Sequence, residues 1–274
     1  MKEIVLETLH HKILSHPSSN EWVIFIHGLG GNSSIWFKQI KDFRKHFNLI
    51  LVDLPGHGGN NRGLKDVSDP SFEHVAKKVI TLLDHHGIRR AHFVGISLGT
   101  MVIQFIQHLS PNRVKSMVLG GSVERIHPFF IFIVRLIEGL KHLIPYMWIY
   151  RLVAWILMPR EHHVEARKTF IREAVKLGQR EFFCWYRILH QEVNPFFARK
   201  KSNDITPAIY IMGSEDYMFL PNIKKQYKRF LNARLHILPK SGHVCNIEKE
   251  KEFNQISISF IHSHSKPLTA HAAN

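Results

Sequence analysis

Gly95-Ile96-Ser97-Leu98-Gly99 stands directly after the apolar run AHFV and directly before the helical text LGTMVIQFIQHL. A serine in a tight strand–turn–helix corner is a candidate nucleophile. The corner strains its backbone and lifts the hydroxyl clear of the sheet. Glycines at 95 and 99 remove side chains that would collide with the turn or with neighbouring strands. The helix that follows aims its dipole, and the backbone N–H of Leu98, at the oxyanion that forms when a carbonyl is attacked. A G-x-S-x-G run alone arises by chance, so its place between a buried strand and a helix gives it weight.

A serine hydroxyl is a weak nucleophile without a general base within hydrogen-bond reach. Residue type alone does not find that base, because the chain holds 21 histidines. His243 stands apart. It follows the last strand-like run, ARLHILP, in a Ser241-Gly242-His243 turn, from which a loop can swing an imidazole over the edge of a sheet. An acid must then orient the ring and stabilise the imidazolium. Asp216 follows the strand-like PAIYIMG by a short turn, with Glu215 beside it and Glu124 after the preceding strand as competitors.

The elements that must position these groups follow a strand–helix rhythm. EWVIFIHG, NLILVD, AHFVG and VKSMVLGG read as buried strands, and amphipathic segments such as the one from Ser71 to about His86 separate them. That alternation predicts a mostly parallel sheet with crossover helices. Residues 4–9, IVLETL, alternate and suggest an edge hairpin. From 122 to 200 no strand-length alternation appears, and the rhythm resumes afterwards. We expect a core from 1–121 and 201–262, a helical cap or lid from 122–200, and a disordered tail from 263–274.

Nearly the whole chain resembles the α/β-hydrolase family. The resemblance rests on His27-Gly28 after an early strand, Asp53-Leu54-Pro55-Gly56-His57-Gly58 after the next, and then the Ser97 corner. It implies an eight-stranded, mostly parallel sheet with flanking helices, a helical cap inserted after the sixth strand, and a Ser-Asp-His triad in that chain order. Asp216 matches the usual position of the acid. The residue after His-Gly, here Leu29, would supply the second oxyanion N–H. Thr100 departs from the glycine that many relatives carry there. A serine rather than an aspartate at 97 disfavours the branches that attack with a carboxylate. The implied activity is hydrolysis of a carboxylic ester or related acyl bond. C–C bond hydrolysis, a lyase reaction on an anionic metabolite, and a slow-turnover binding protein remain alternatives.

Composition bounds the rest. At 274 residues and 45% hydrophobic content the chain can bury a full core. Two cysteines, Cys184 and Cys245, argue against a disulfide framework. The N-terminal residues lack a signal-peptide h-region, so a cytoplasmic location is expected. The formal net charge is +15. Its lysines and arginines are scattered over amphipathic segments with no basic stripe interleaved with aromatics, which argues against nucleic-acid binding. Peripheral contact with an anionic membrane stays open. Neighbouring histidines such as His162–His163 are expected to point apart on a helix, so no metal is expected. No cofactor motif is present either. Asp53, His57 and His27 read as props for loops. The cap text is strongly apolar, which points to a lipophilic small-molecule acyl substrate, with Phe132, Trp148 and Trp155 as candidate wall residues.

Overall fold

The computed structural model describes residues 8–60, 62–126, 131, 139, 145–199, 205–229 and 231–265. Among these, seven strands form one sheet: β1 (His11–Leu14), β2 (Trp22–Ile26), β3 (Asn48–Val52), β4 (Ala91–Ile96), β5 (Val114–Gly120), β6 (Ala208–Gly213) and β7 (Ala233–Leu238). Their spatial order is β1-β3-β2-β4-β5-β6-β7. Only β1 is antiparallel, to β3. The central strands read as unbroken apolar runs because both faces of a parallel sheet are covered.

Strand side chains alternate between faces, and two apolar layers follow. Ile24, Ile26, Phe93 and Leu119 face α2 (Phe72–His85) and α3 (Leu98–Leu109). Phe25, Leu51, Val94 and Val118 face α1 (Phe37–Phe43) and a late helix carrying Phe253, Phe260 and Ile261. Burying one such side chain contributes about 1.5–3 kcal/mol. Helix α2 begins where Ser71 accepts the His74 N–H at 3.1 Å, satisfying one of the amide groups that a helix start leaves open.

The expected eight strands are corrected to seven among the described residues. Residues 1–7 lie outside that set, and among the described residues the edge position belongs to His11–Leu14. Its side chains are half-buried or exposed, so HKIL has no apolar run by which to be found. Among the described residues, the helical stretch follows the fifth strand.

That stretch contains α4 (Tyr146–Leu157), α5 (Val164–Ala174) and α6 (Gln179–Arg199) and no strand among its described residues. Ala154, Leu157, Trp185 and Ile188 join the same apolar layer as Leu98 and Val123. Polar anchors fix the seam. The Trp185 Nε1–H donates to the Pro55 carbonyl at 3.2 Å, and Glu181 accepts the Leu64 N–H at 2.7 Å. The chain then returns to β6, α7 (Leu220–Gln226), β7, α8 (Cys245–Glu248) and α9 (Glu250–His262). Among the described residues no helix is long and apolar enough to cross a membrane. Of the expected tail, residues 266–274 lie outside the described set, and the Ser263 hydroxyl donates to the Phe260 carbonyl at 2.7 Å.

Candidate active site

The strand order reverses between β2 and β4, since β2 leads outward to β3 and the chain then crosses back. A crevice opens at such a switch point, beyond the carboxyl ends of the strands. The loop after β2 and the turn after β4 form its two sides. Ser97 sits in that turn with φ +53° and ψ −118°, a conformation that costs about 1–3 kcal/mol and persists only where neighbours enforce it. The enforcement is visible. The Ser97 N–H donates to Gly120 O at 2.9 Å. A Cβ on Gly99 would lie 2.1 Å from the Ile26 carbonyl oxygen, and one on Gly95 would lie 2.6 Å from Ile103 Cδ1.

His243 and Asp216 arrive from the loops after β7 and β6. His243 Nε2 lies 2.8 Å from Ser97 Oγ, and Nδ1 lies 2.8 Å from Asp216 Oδ2. Asp216 is held in turn by the Phe219 N–H, which donates to Oδ1 at 3.1 Å. The Phe219 ring lies 5.1 Å from the imidazole, centroid to centroid. A Cβ on Gly213 would fall 2.0 Å from the Gly242 carbonyl oxygen, so the acid and base loops touch through their backbones. Glu248 accepts the Gly242 N–H and the Ser241 hydroxyl, which fixes the base loop from below.

The competitors for the acid position are engaged elsewhere. The Tyr210 hydroxyl donates to Glu124. Glu215 Oε2 lies 2.9 Å from His162 Nε2 and 3.0 Å from His163 Nε2. This corrects the expectation that the His162–His163 pair diverges. Residues Glu161–His163 form a single tight 3-10 turn, which leaves both rings on Glu215 with their centroids 4.3 Å apart. His162, His163 and Glu215 bring three ligand-type atoms within 4.8 Å of one another. No spacing rule in the sequence indicated this grouping, because Glu215 lies far along the chain. Cys245 is buried and donates to the Ile211 carbonyl. Burial pushes its thiol well above the ordinary range, so it stays protonated.

The loop after β2 is pinned peptide by peptide. The Gly28 carbonyl accepts from His27 Nδ1 at 2.8 Å and from the Gly31 N–H at 3.0 Å. In a trans peptide the N–H opposes the carbonyl, so these two bonds aim the Leu29 N–H the other way. The next peptide is tied at both ends: Tyr150 Oη donates to Leu29 O at 2.7 Å, and the Gly30 N–H donates to His57 Nε2 at 3.0 Å. Leu98 is the first residue of α3, where an N–H has no intrahelical acceptor. Asp53 accepts the Ser33 N–H at 2.6 Å and the Gly59 N–H at 2.9 Å. His27, Asp53 and His57 are thus loop props. Tyr150 was not foreseen, because nothing local in α4 signals a partner in the loop after β2.

His27 and His57 tie this loop to solution pH. Both accept a backbone N–H at Nε2, so both rings are neutral. Burial pushes His27 from 6.5 down to about 4. Burial and the neighbouring His27 push His57 from 6.5 down to about 3. The unfolded chain protonates both near pH 6.5, so it binds more protons than the folded one below that value. Stability is therefore held above pH 6.5 and falls as the pH drops toward 4, by about 1.4 kcal/mol per pH unit for each ring. Thermal unfolding followed by circular dichroism at pH 7.5 and pH 5 is expected to show a melting temperature several degrees lower at pH 5, and His57→Gln to shrink that difference.

A cavity with about 770 Å³ of empty space, mouth included, reaches Ser97 and His243. Leu98, Val123, Ile149, Val153, Leu157 and Phe182 are among its walls, and no Lys, Arg, Asp or Glu lines it among the described residues. Trp148 and Trp155 are corrected: neither lines it, and both are exposed. Helix α4 carries apolar residues on every side and a single charge, Arg151, so hydrophobic periodicity could not say which face turned inward. Ile149, Tyr150, Val153 and Leu157 do, and Trp155 lies under the Arg167 guanidinium at 3.7 Å. Phe132 lies outside the described residues.

Comparisons with known proteins agree with this fold. Residues 21–141 match the model of the alpha/beta hydrolase fold family. Over 92% of its length the chain is 25% identical to RutD of Acinetobacter baylyi, a protein named for carbamate hydrolysis, and covers 98% of that protein. Among solved structures, an esterase from Exiguobacterium antarcticum superposes with a TM-score of 0.79 at 14% identity, covering 93% of this chain and 95% of that one. The enol-lactonase from Burkholderia xenovorans LB400 does so with a TM-score of 0.73 at 22% identity, covering 93% and 96%. With its strained serine corner at the switch point of a mostly parallel sheet, and with these likenesses, the chain has the α/β-hydrolase fold.

Proposed function

We propose that this protein is a serine hydrolase that cleaves a carboxylic ester, or a related acyl bond, of an uncharged lipophilic small molecule through an acyl-enzyme. The observation that carries the reading is the 2.8 Å contact of His243 Nε2 with Ser97 Oγ at the end of an apolar cavity. His243 takes the Ser97 proton as Oγ attacks the carbonyl carbon, and Asp216 holds Nδ1–H and stabilises the imidazolium. The Leu29 and Leu98 N–H groups receive the oxyanion. The proton then passes to the leaving alkoxide. A water, deprotonated by the same ring, releases the acid and restores Ser97.

Residues 122–200 act in this reading as a cap, with 1–121 and 201–262 as the core. A second, mostly apolar cavity of about 400 Å³, mouth included, is bounded by Ile35, Ile96, Thr169, Phe170, Glu173 and Ile247 and meets the first at Leu29, Ser97 and His243. The two give the acyl and alcohol halves separate places. The apolar walls also weigh against the anionic-metabolite alternative, since a carboxylate there would lose its water with no cation to compensate.

The test is hydrolysis of p-nitrophenyl esters from acetate to decanoate, alongside an ester whose acyl chain ends in a carboxylate. Preference for medium or long uncharged chains is expected, with the charged ester turned over at least about tenfold less well. No turnover of any chain length, or preference for the charged ester, would sink the reading. Tyr150→Phe probes the loop: it removes the donor to Leu29 O but leaves the ring in place. We expect kcat to fall about tenfold with KM little changed, read from steady-state kinetics on the preferred ester.

A further inference from the structure

Helix α4 turns apolar side chains in two opposite directions. Ile149, Tyr150, Val153 and Leu157 face the cavity. Trp148, Leu152, Trp155 and Ile156 recur at i, i+4, i+7 and i+8, one stripe of a helix. They are 69%, 51%, 54% and 42% exposed. Scattered exposed apolar residues need no explanation, but four on one face of a helix of this length do. Arg151 is exposed on the same side. We propose that this outer face of α4 is a docking surface for an anionic phospholipid bilayer.

The charge around the stripe selects that occupant. Arg160 follows the helix, Lys168 and Arg172 are exposed on α5, which packs against α4, and Lys176 just after it and Arg180 in the first turn of α6 are exposed too. The carboxylates of the region are mostly engaged. Glu173 pairs with Arg172 and Lys176. Glu181 accepts the Leu64 N–H, and Glu192 accepts the Phe72 N–H. Glu161 is exposed, and Glu165 is exposed in a pair with Lys38. A helix face of Trp, Leu and Ile that carries Arg151, with exposed arginines and lysines on the neighbouring helix, is the composition that seats in the headgroup region: indole and aliphatic groups enter the acyl boundary and cations stay at the phosphates. The whole chain, at +15, adds attraction of the same sign. Because the inner face of the same helix walls the cavity, docking sets the cavity wall one helix thickness from the lipid.

The test is co-sedimentation of the full chain with vesicles of phosphatidylcholine alone and vesicles carrying phosphatidylglycerol as about a third of the lipid. Binding to the anionic vesicles, weakened by salt and absent from the neutral ones, is expected. The Trp148→Ser/Leu152→Ser variant is expected to lose about tenfold or more in partitioning, and Arg151→Glu a smaller amount. Both should hydrolyse a short soluble p-nitrophenyl ester at the wild-type rate, which controls for folding. Failure to bind either vesicle, equal binding to both, or variants that bind like wild type would overturn the proposal. So would a wild-type dimer that the double variant splits, since a second copy would then own the face. Vesicle binding needs no turnover, so it stands or falls separately from the hydrolase reading.

Discussion

Ser97→Ala is expected to lower kcat/KM for the preferred p-nitrophenyl ester by about 10⁴-fold or more while leaving the circular dichroism spectrum unchanged. The size follows from the part the side chain plays. In the proposed mechanism its oxygen becomes the bond to the acyl carbon, and no other hydroxyl among the described residues is placed 2.8 Å from His243 Nε2. What remains after its removal is oxyanion binding and positioning, which gives only a fraction of a triad enzyme's acceleration. His243→Ala should cost a similar factor, and combining the two should cost little more, because the groups act as one unit. Asp216→Asn should also be severe, since Asp216 Oδ2 is what holds His243 Nδ1–H. Steady-state kinetics on purified variants decides the point. Retention of more than about a tenth of the activity by folded Ser97→Ala would exclude Ser97 as the nucleophile.

The second large effect falls on folding. Gly99→Ala is expected to destabilise the protein by about 3 kcal/mol or more, at or beyond the upper end for overpacking. The added Cβ would lie 2.1 Å from the Ile26 carbonyl oxygen and 2.8 Å from that of His27. Both are backbone atoms of β2 and its exit, so no side chain can rotate away. Either α3 must lift from the sheet or β2 must shift, and both movements displace Ser97 from His243. Gly87 supplies the contrast. It has φ +65° with nothing within 4 Å of a built Cβ, so Gly87→Ala should cost only the left-handed strain, about 1 kcal/mol. Thermal unfolding of the two variants is the measurement. At about 2–4 °C per kcal/mol for a chain of this size, Gly99→Ala should melt roughly 6–12 °C or more below wild type, or fail to fold, and Gly87→Ala only a few degrees below. Equal melting temperatures would show that the sheet yields at Ile26.

The first of these rests on a grouping in space that the sequence marked in outline. Ser97 was legible because its corner is local, a strand, a turn and a helix written consecutively. His243 was legible only through its place after the last strand, and Asp216 only with Glu215 and Glu124 as rivals. The three acids differ by contacts from other parts of the chain: Asp216 meets His243, Glu215 meets the Glu161–His163 turn, and Glu124 meets Tyr210. No local pattern encodes those partners.

The sequence by itself determined the alternation of buried strands and helices, the helices described between 146 and 199, and the serine corner. Each rests on periodicity or on glycines needed within a few residues, and such short-range constraints are written where they act. Tertiary structure decided the rest. It turned Trp148 and Trp155 outward and Tyr150 inward on a helix with apolar residues on every side, brought Tyr150 to the Leu29 carbonyl, gathered His162 and His163 on Glu215, and put a short strand at His11–Leu14 at the edge of the described sheet. The reason is common to all four. Which face of a mostly apolar helix is covered, which donor finds which carbonyl, and which strand closes an edge depend on partners far along the chain, and these acquire positions only when the sheet is assembled.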